Sequence, residues 1–219
     1  MALQLYYHPF SSYCQKALIA FYENDIAFEP QLLEGPDSPA TKRLAELWPM
    51  QRFPVLVDGD QTIIEASCII EYLGLHRPGP VRLIPADPAA ALEVRMWDRF
   101  FDNYVSTPQQ KVVFNALRPE AVRDPHGVQE AKQMLETSYA WLDRRMAGRE
   151  WVVGESFSLA DCAAAPFLFY ADWTHAIAEQ FTHVKAYRQR LLKRPSFARA
   201  VDEARPFRPY FPLGAPDRD

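Results

Sequence analysis

Glycine is scarce in this chain, eight in 219 residues, and the eight cannot be arranged into G-x-G-x-x-G or G-x-x-x-x-G-K-[ST]. The usual signatures of dinucleotide and P-loop phosphate sites are therefore missing. Only three cysteines occur, Cys14, Cys68 and Cys162, with no close pair, which argues against a disulfide scaffold or a zinc site. The five histidines are scattered without ligand spacing, so no metal is expected. Positive charge is not in excess: 24 Lys and Arg against 28 Asp and Glu give a net charge of −4, which disfavours a nucleic-acid partner. The longest apolar run, Cys162 to Ala171, is about half of what a bilayer requires and contains Pro166, so no membrane span is expected. MALQLYYHPF has neither the charged region nor the long apolar stretch of a secretory signal. The aromatics follow no repeat period that would indicate a solenoid. These absences leave a soluble, cytoplasmic protein of a reducing compartment as the expectation.

Proline, in contrast, is abundant: nineteen residues, nearly twice the average frequency of about 5%. The first eighty residues mix two periods. Leu3, Leu5 and Tyr7 alternate as a strand, Ser11 to Asn24 takes helical spacing, and Ile26 to Leu32 alternates again. Two strands joined by a helix read as a parallel unit with a right-handed crossover. A helix over Ala40 to Leu47 stops before Pro49, because the residue preceding proline avoids helical backbone. Val55-Leu56-Val57 and Thr62-Ile63-Ile64 flank Asp58-Gly59, a hairpin signal, and a helix from Ser67 is expected to end at Gly74. The order is β-α-β-α-β-β-α.

The proline-rich stretch 74–88 suits neither helix nor strand, and everything beyond it reads as helical: Pro88 to Leu117, Gly127 to Met146, Ser158 to His175, Val184 to Arg194 and a short piece to Arg205. Phe157-Ser158-Leu159-Ala160-Asp161 is a helix start, with Ser158 and Asp161 spaced as a reciprocal cap. The expected division is an α/β domain over 1–76, a linker over 77–87, an all-helical domain over 88–205, and a proline-rich tail over 206–219 that wraps the surface or frays.

Four local patterns, in order, resemble the cytosolic glutathione S-transferase family, specifically its serine- and cysteine-type, bacterial-like members. They are Leu5-Tyr6-Tyr7-His8-Pro9-Phe10-Ser11-Ser12-Tyr13-Cys14, Trp48-Pro49-Met50-Gln51-Arg52-Phe53-Pro54-Val55-Leu56, Glu65-Ala66-Ser67-Cys68-Ile69-Ile70-Glu71-Tyr72-Leu73, and Phe157-Ser158-x-Ala160-Asp161. The resemblance covers nearly the whole chain. It implies a thioredoxin-like N-terminal domain followed by an all-helical domain, glutathione as co-substrate, a homodimer, and a detoxifying transfer of the glutathione thiolate to a small apolar electrophile. Peroxidase, isomerase or dehalogenase chemistry, or a non-catalytic binding role on the same fold, are the alternatives.

The resemblance also assigns residues. A cis Phe53–Pro54 bond is implied, presenting the Phe53 amide and carbonyl to the peptide backbone of glutathione. Glu65 suits the γ-glutamyl ammonium, and the helix-start amides at Ala66 and Ser67 suit its carboxylate. Where the family has a serine this chain has Ala66, so Ser67 offers the nearest hydroxyl. Arg52, Lys42 and Arg43 are candidates for the glycyl carboxylate. The thiol has a pKa of about 8.5, and ionising it at neutral pH takes roughly 2.7 kcal/mol at about 1.36 per unit. A hydroxyl donating to the thiolate offers about 1.5–3 kcal/mol. Ungapped matching puts that hydroxyl on Ser11, and one gap moves it to Ser12. Tyr6 matches the strand tyrosine of other members, while Ser11 to Cys14 resembles a glutaredoxin motif whose attacking cysteine has become serine. Tyr104, Phe114, Phe167 and Tyr170 are the expected wall of the electrophile pocket, although an aromatic stripe on a helix is more often core.

Overall fold

The computed structural model describes residues 2–219. Strands β1 (Gln4–Tyr7), β2 (Glu29–Leu32), β3 (Val55–Asp58) and β4 (Gln61–Ile64) form one sheet in the order β2-β1-β3-β4. The β1–β2 pair is parallel, with helix α1 (Ser12–Glu23) as its crossover; β1–β3 and β3–β4 are antiparallel. Asp58 pairs with Gln61, so the hairpin turn is Gly59-Asp60, one residue later than the Asp58-Gly59 expected. Gly59 adopts φ +60°, the conformation that a two-residue turn with glycine first demands. Helix α2 (Pro39–Leu47) covers one face of the sheet, placing Leu44 in a small core with Tyr6, Leu33 and Val55. Helix α3 (Ala66–His76) follows β4 and runs straight through Gly74. Glycine ends a helix by entering left-handed backbone, and Gly74 does not.

The second half holds α4 (Pro88–Phe100), α5 (Thr107–Leu117), α6 (Pro125–Met146), α7 (Leu159–Thr174), α8 (Thr182–Leu192) and α9 (Pro195–Ala204). Helix α7 is apolar on every side and buried from Leu159 to Trp173, so it is the central element of this half. Its start is fixed by Asp161, whose Oδ2 accepts from the Ser158 amide at 2.9 Å and from the Ser158 hydroxyl at 2.9 Å. Helix α1 packs on α7, with Tyr13 against Phe167 and Gln15 reaching Tyr170, and one hydrophobic core runs from Leu3 to Phe211 across both halves.

The continuous helix expected over Pro88 to Leu117 is instead interrupted by a π-helical segment, Phe101–Ser106. Pro108 is the cause. It has no N–H to give to the Tyr104 carbonyl, which accepts instead from the Ser138 hydroxyl at 2.8 Å, while the Thr107 N–H reaches back five residues to the Asp102 carbonyl. The tail makes contacts with the helical half. Arg205–Tyr210 forms a 3₁₀ turn, Phe211 packs edge-on against Trp173 at 5.1 Å, and Asp219 pairs with Arg205 at 2.6 Å. No described helix is long and apolar enough to cross a membrane.

Candidate active site

Helix α1 begins at the end of β1 because the loop His8-Pro9-Phe10 cannot continue either ladder. Ser11 is its N-cap, in extended backbone, with Oγ accepting from the Cys14 amide at 3.4 Å. That bond is long and uses only a lone pair, so the hydroxyl proton remains available. The loop is held from behind. The buried Gln15 Nε2 donates to the Pro9 carbonyl at 3.0 Å and to the Tyr170 hydroxyl at 3.2 Å, and the His8 Nδ1 accepts from the Phe10 amide at 3.1 Å.

Ser11 opens into a cleft of about 450 Å³ between the two halves of the chain. Its sheet side is built by Gln51, Arg52, Phe53 and Pro54 in the α2–β3 connection, where the Phe53–Pro54 peptide is cis. Beside them stand Glu65 and Ala66. Glu65 is the N-cap of α3 with φ +68°, an uncommon conformation for a residue with a side chain. It turns the chain so that the unpaired amides of the first turn of α3 begin at Ala66, next to the cleft. Neither Glu65 nor Arg52 makes a side-chain hydrogen bond or ion pair with another described residue. Across from the sheet side, Arg99, Asp102, Asn103, Gln110 and Phe114 form the helical wall, with Tyr13 between the two.

The other sequence candidates lie elsewhere. Ser12 is buried in the first turn of α1 and does not border the cleft. The Ser67 hydroxyl turns inward, accepting from Lys16 Nζ at 2.9 Å and donating to Asp98 Oδ2 at 2.8 Å. Phe167 is covered by Tyr13, ring to ring at 4.9 Å, and Tyr170 stands behind Phe10 at 5.5 Å. Tyr104 is exposed but borders no part of the cleft, which leaves Phe114 as the one aromatic of the expected four that does. Lys42 pairs with Asp37, just before α2, and Arg43 with Glu46 on α2, and neither borders the cleft; Tyr6 is buried beneath α2. Burial pushes the Cys14 thiol up to about 12, so it is neutral at physiological pH. Among the described residues no cluster of three metal-ligating side chains occurs.

Behind the helical wall lies an ion cluster that sequence reading missed. Lys16, fully buried on α1, sits 2.6 Å from Asp98 Oδ1 and 2.8 Å from Asp102 Oδ1. Arg99 closes the cluster from the cleft side, at 2.6 Å from Asp98 Oδ2 and 2.5 Å from Asp102 Oδ2. Two cations meet two carboxylates. Burial raises the Asp102 pKa, and the adjacent Lys16 opposes that rise. Tyr13, Trp48, Gln51, Arg99, Asp102, Asn103 and Gln110 also line the cleft, and the sequence alone assigns none of them to the site. The signal available for the helical-wall residues was Pro108, a proline inside an otherwise helical pattern, which marks a local irregularity.

Comparison with known proteins agrees in both halves. The N-terminal domain model of glutathione S-transferases matches residues 5–80, and the C-terminal domain model matches 109–195. The glutathione S-transferase GstB of Escherichia coli K12 is 24% identical over 196 residues, covering 87% of this chain and 93% of that protein. A solved glutathione S-transferase of Methylobacillus flagellatus, with glutathione bound, is 28% identical, covers 91% of this chain and 98% of its own, and superposes with a TM-score of 0.82. One from Methylobacterium radiotolerans, in complex with glutathione sulfonate, is also 28% identical, covering 92% and 95%, with a TM-score of 0.79.

Proposed function

Because the chain belongs to the glutathione S-transferase family, we propose that it joins the sulfur of glutathione to a small electrophile in the cleft between residues 1–76 and residues 88–205. In this division 77–87 is the linker and 206–219 the tail. The observation that carries the reading is a convergence: the N-termini of α1 and α3, at Ser11 and Ala66, border one cleft together with Arg52, Phe53, Pro54 and Glu65.

The γ-glutamyl carboxylate lies on the first-turn amides of α3, where helix dipole and free N–H groups favour an anion. The unpaired Glu65 carboxylate takes the ammonium, the Phe53 backbone takes the cysteinyl peptide, and the unpaired Arg52 takes the glycyl carboxylate. So placed, the sulfur points at the start of α1. The thiol proton passes to solvent, the Ser11 hydroxyl donates to the resulting thiolate, and the first-turn amides of α1 add to its stabilisation. The sulfur lone pair forms the S–C bond, and the leaving group departs with the electron pair of the bond that breaks. Tyr13 and Phe114 receive the apolar part of the electrophile.

Mixing the protein with glutathione and 1-chloro-2,4-dinitrobenzene, with calorimetry of glutathione alone, tests this. Heat of binding and an absorbing conjugate are expected. Binding without conjugation would favour a non-catalytic member, and turnover of a hydroperoxide instead would favour peroxidase chemistry.

The finer features belong to the same proposal. Leu92 and Met96 on α4 are 68% and 50% exposed, an apolar face suited to a two-fold contact between identical chains. Light scattering at twice the monomer mass is expected, and monomer mass across a wide concentration range would exclude it. Three free cysteines fit a cytoplasmic, reducing location, where conjugation serves detoxification.

A further inference from the structure

We infer that the helical wall selects an electrophile bearing an uncharged hydrogen-bonding group, such as a carboxamide, beside its apolar reacting end; this rests on the conjugation reading above. Of the five residues of the helical wall, four are polar and one, Phe114, is aromatic. The charged pair among them is already engaged. Arg99 and Asp102 are 2.5 Å apart, and both belong to the cluster that Lys16 and Asp98 complete. An anionic substrate would have to compete with two carboxylates for Arg99, and a cationic one with Arg99 and Lys16 for Asp102. Each exchange costs a charge-assisted bond.

The two carboxamides are different. Asn103 is exposed to the cleft and makes no side-chain hydrogen bond with another described residue. Gln110 only approaches the Ser106 hydroxyl, at 3.5 Å, and its Oε1 has no partner among the described residues. Together they offer donors and acceptors opposite Ser11. Their placement follows from the π-helical segment, whose wider turn brings neighbouring Asp102 and Asn103 both to the cleft while α5 carries Gln110 and Phe114 beyond them. An uncharged polar group that pairs with Asn103 and Gln110 gains bonds the empty cleft leaves to water. A purely apolar group would desolvate both amides without return.

The test uses matched benzyl chlorides carrying a para carboxamide, methyl, carboxylate or aminomethyl group. With each, the glutathione sulfur displaces chloride, which leaves with the C–Cl electron pair, while the thiol proton goes to solvent. Each kcat/KM is divided by the uncatalysed rate constant with glutathione, and each variant is checked by its melting temperature. The carboxamide should be preferred over the methyl compound, and Asn103→Leu and Gln110→Leu should each lower that preference roughly 3- to 10-fold, as loss of one hydrogen bond implies. An unchanged ratio in both variants, or a wild-type preference for the methyl or either charged compound, would overturn the inference while leaving conjugation intact. A protein that conjugates 1-chloro-2,4-dinitrobenzene but none of the four would overturn this inference alone, and one that turns over none of the five would remove the conjugation reading and this inference with it.

Discussion

Gln15 holds Pro9: the buried side-chain amide of α1 donates to the carbonyl of the loop that precedes it, at 3.0 Å. The same nitrogen reaches the Tyr170 hydroxyl on α7, so one amide ties the first loop to the core of the helical half. A carbonyl only accepts, which fixes the nitrogen on the Pro9 side. Gln15→Leu leaves the Pro9 carbonyl without its partner inside the protein and should cost about 1–3 kcal/mol of stability. Gln15→Glu should cost more, because a carboxylate cannot donate to that carbonyl. Urea unfolding of the two variants checks the order. Activity adds a second measure: kcat should fall more than glutathione affinity, because Arg52 and Glu65 are untouched.

Ser11 and Ser12 differ in what they face. Ser11 borders the cleft and Ser12 is buried, so the hydroxyl that steadies the thiolate is expected from Ser11. Ser11→Ala should lower kcat/KM about 10- to 150-fold, the equivalent of one bond to a charged group. Its pH–rate profile should shift to higher pH, since the bound thiol loses a donor to its ionised form. Ser12→Ala should leave that profile in place. A shifted profile in Ser12→Ala beside an unshifted Ser11→Ala would transfer the role.

The parts of this protein legible in the sequence are those encoded by neighbours along the chain. Asp58 to Gln61 announces a hairpin, Ser158 and Asp161 announce a helix start, and the stretches from Arg52 to Pro54 and from Glu65 to Ala66 each reach the cleft as a unit. Pairings across the chain carry no local mark. Lys16 gives no sign in the sequence that its partners are Asp98 and Asp102, more than eighty positions away. Phe167 and Tyr170 attract notice as aromatics, yet α7 is apolar all round, which signals burial on every side rather than one wall of a pocket. Pro108 changes which residues of the fourth and fifth helices face inward, and helical periodicity drawn straight through it points to Tyr104 rather than Asn103.

Removing Lys16 should be costly out of proportion to one side chain. Lys16→Met leaves Asp98 and Asp102 buried together with only Arg99 between them, and breaking such a cluster costs about 3–5 kcal/mol. Pairing the change with Asp102→Asn removes one of the two stranded charges and should recover part of that loss. Denaturant midpoints of wild type, the single variant and the double variant measure it. A double variant no more stable than Lys16→Met alone would show that the cluster is not coupled electrostatically.

His8 sets a lower pH limit for the first loop. Its Nδ1 accepts from the Phe10 amide, its ring meets Phe207 of the tail at 4.6 Å, and burial lowers its pKa below the ordinary value of about 6.5. In the unfolded chain the ring takes up a proton as pH falls through that ordinary value, while in the folded protein it resists until a lower pH. Between the two the unfolded state binds more protons, so stability is full above about 6.5 and declines as the solution is acidified. Protonation also converts Nδ1 from acceptor to donor and removes the bond that shapes the loop ahead of Ser11. Asparagine keeps an acceptor able to reach the amide two residues on, yet does not titrate. His8→Asn should therefore stay folded at neutral pH and lose less melting temperature than wild type between pH 7 and pH 5. Equal losses in the two proteins would place the acid sensitivity on another group.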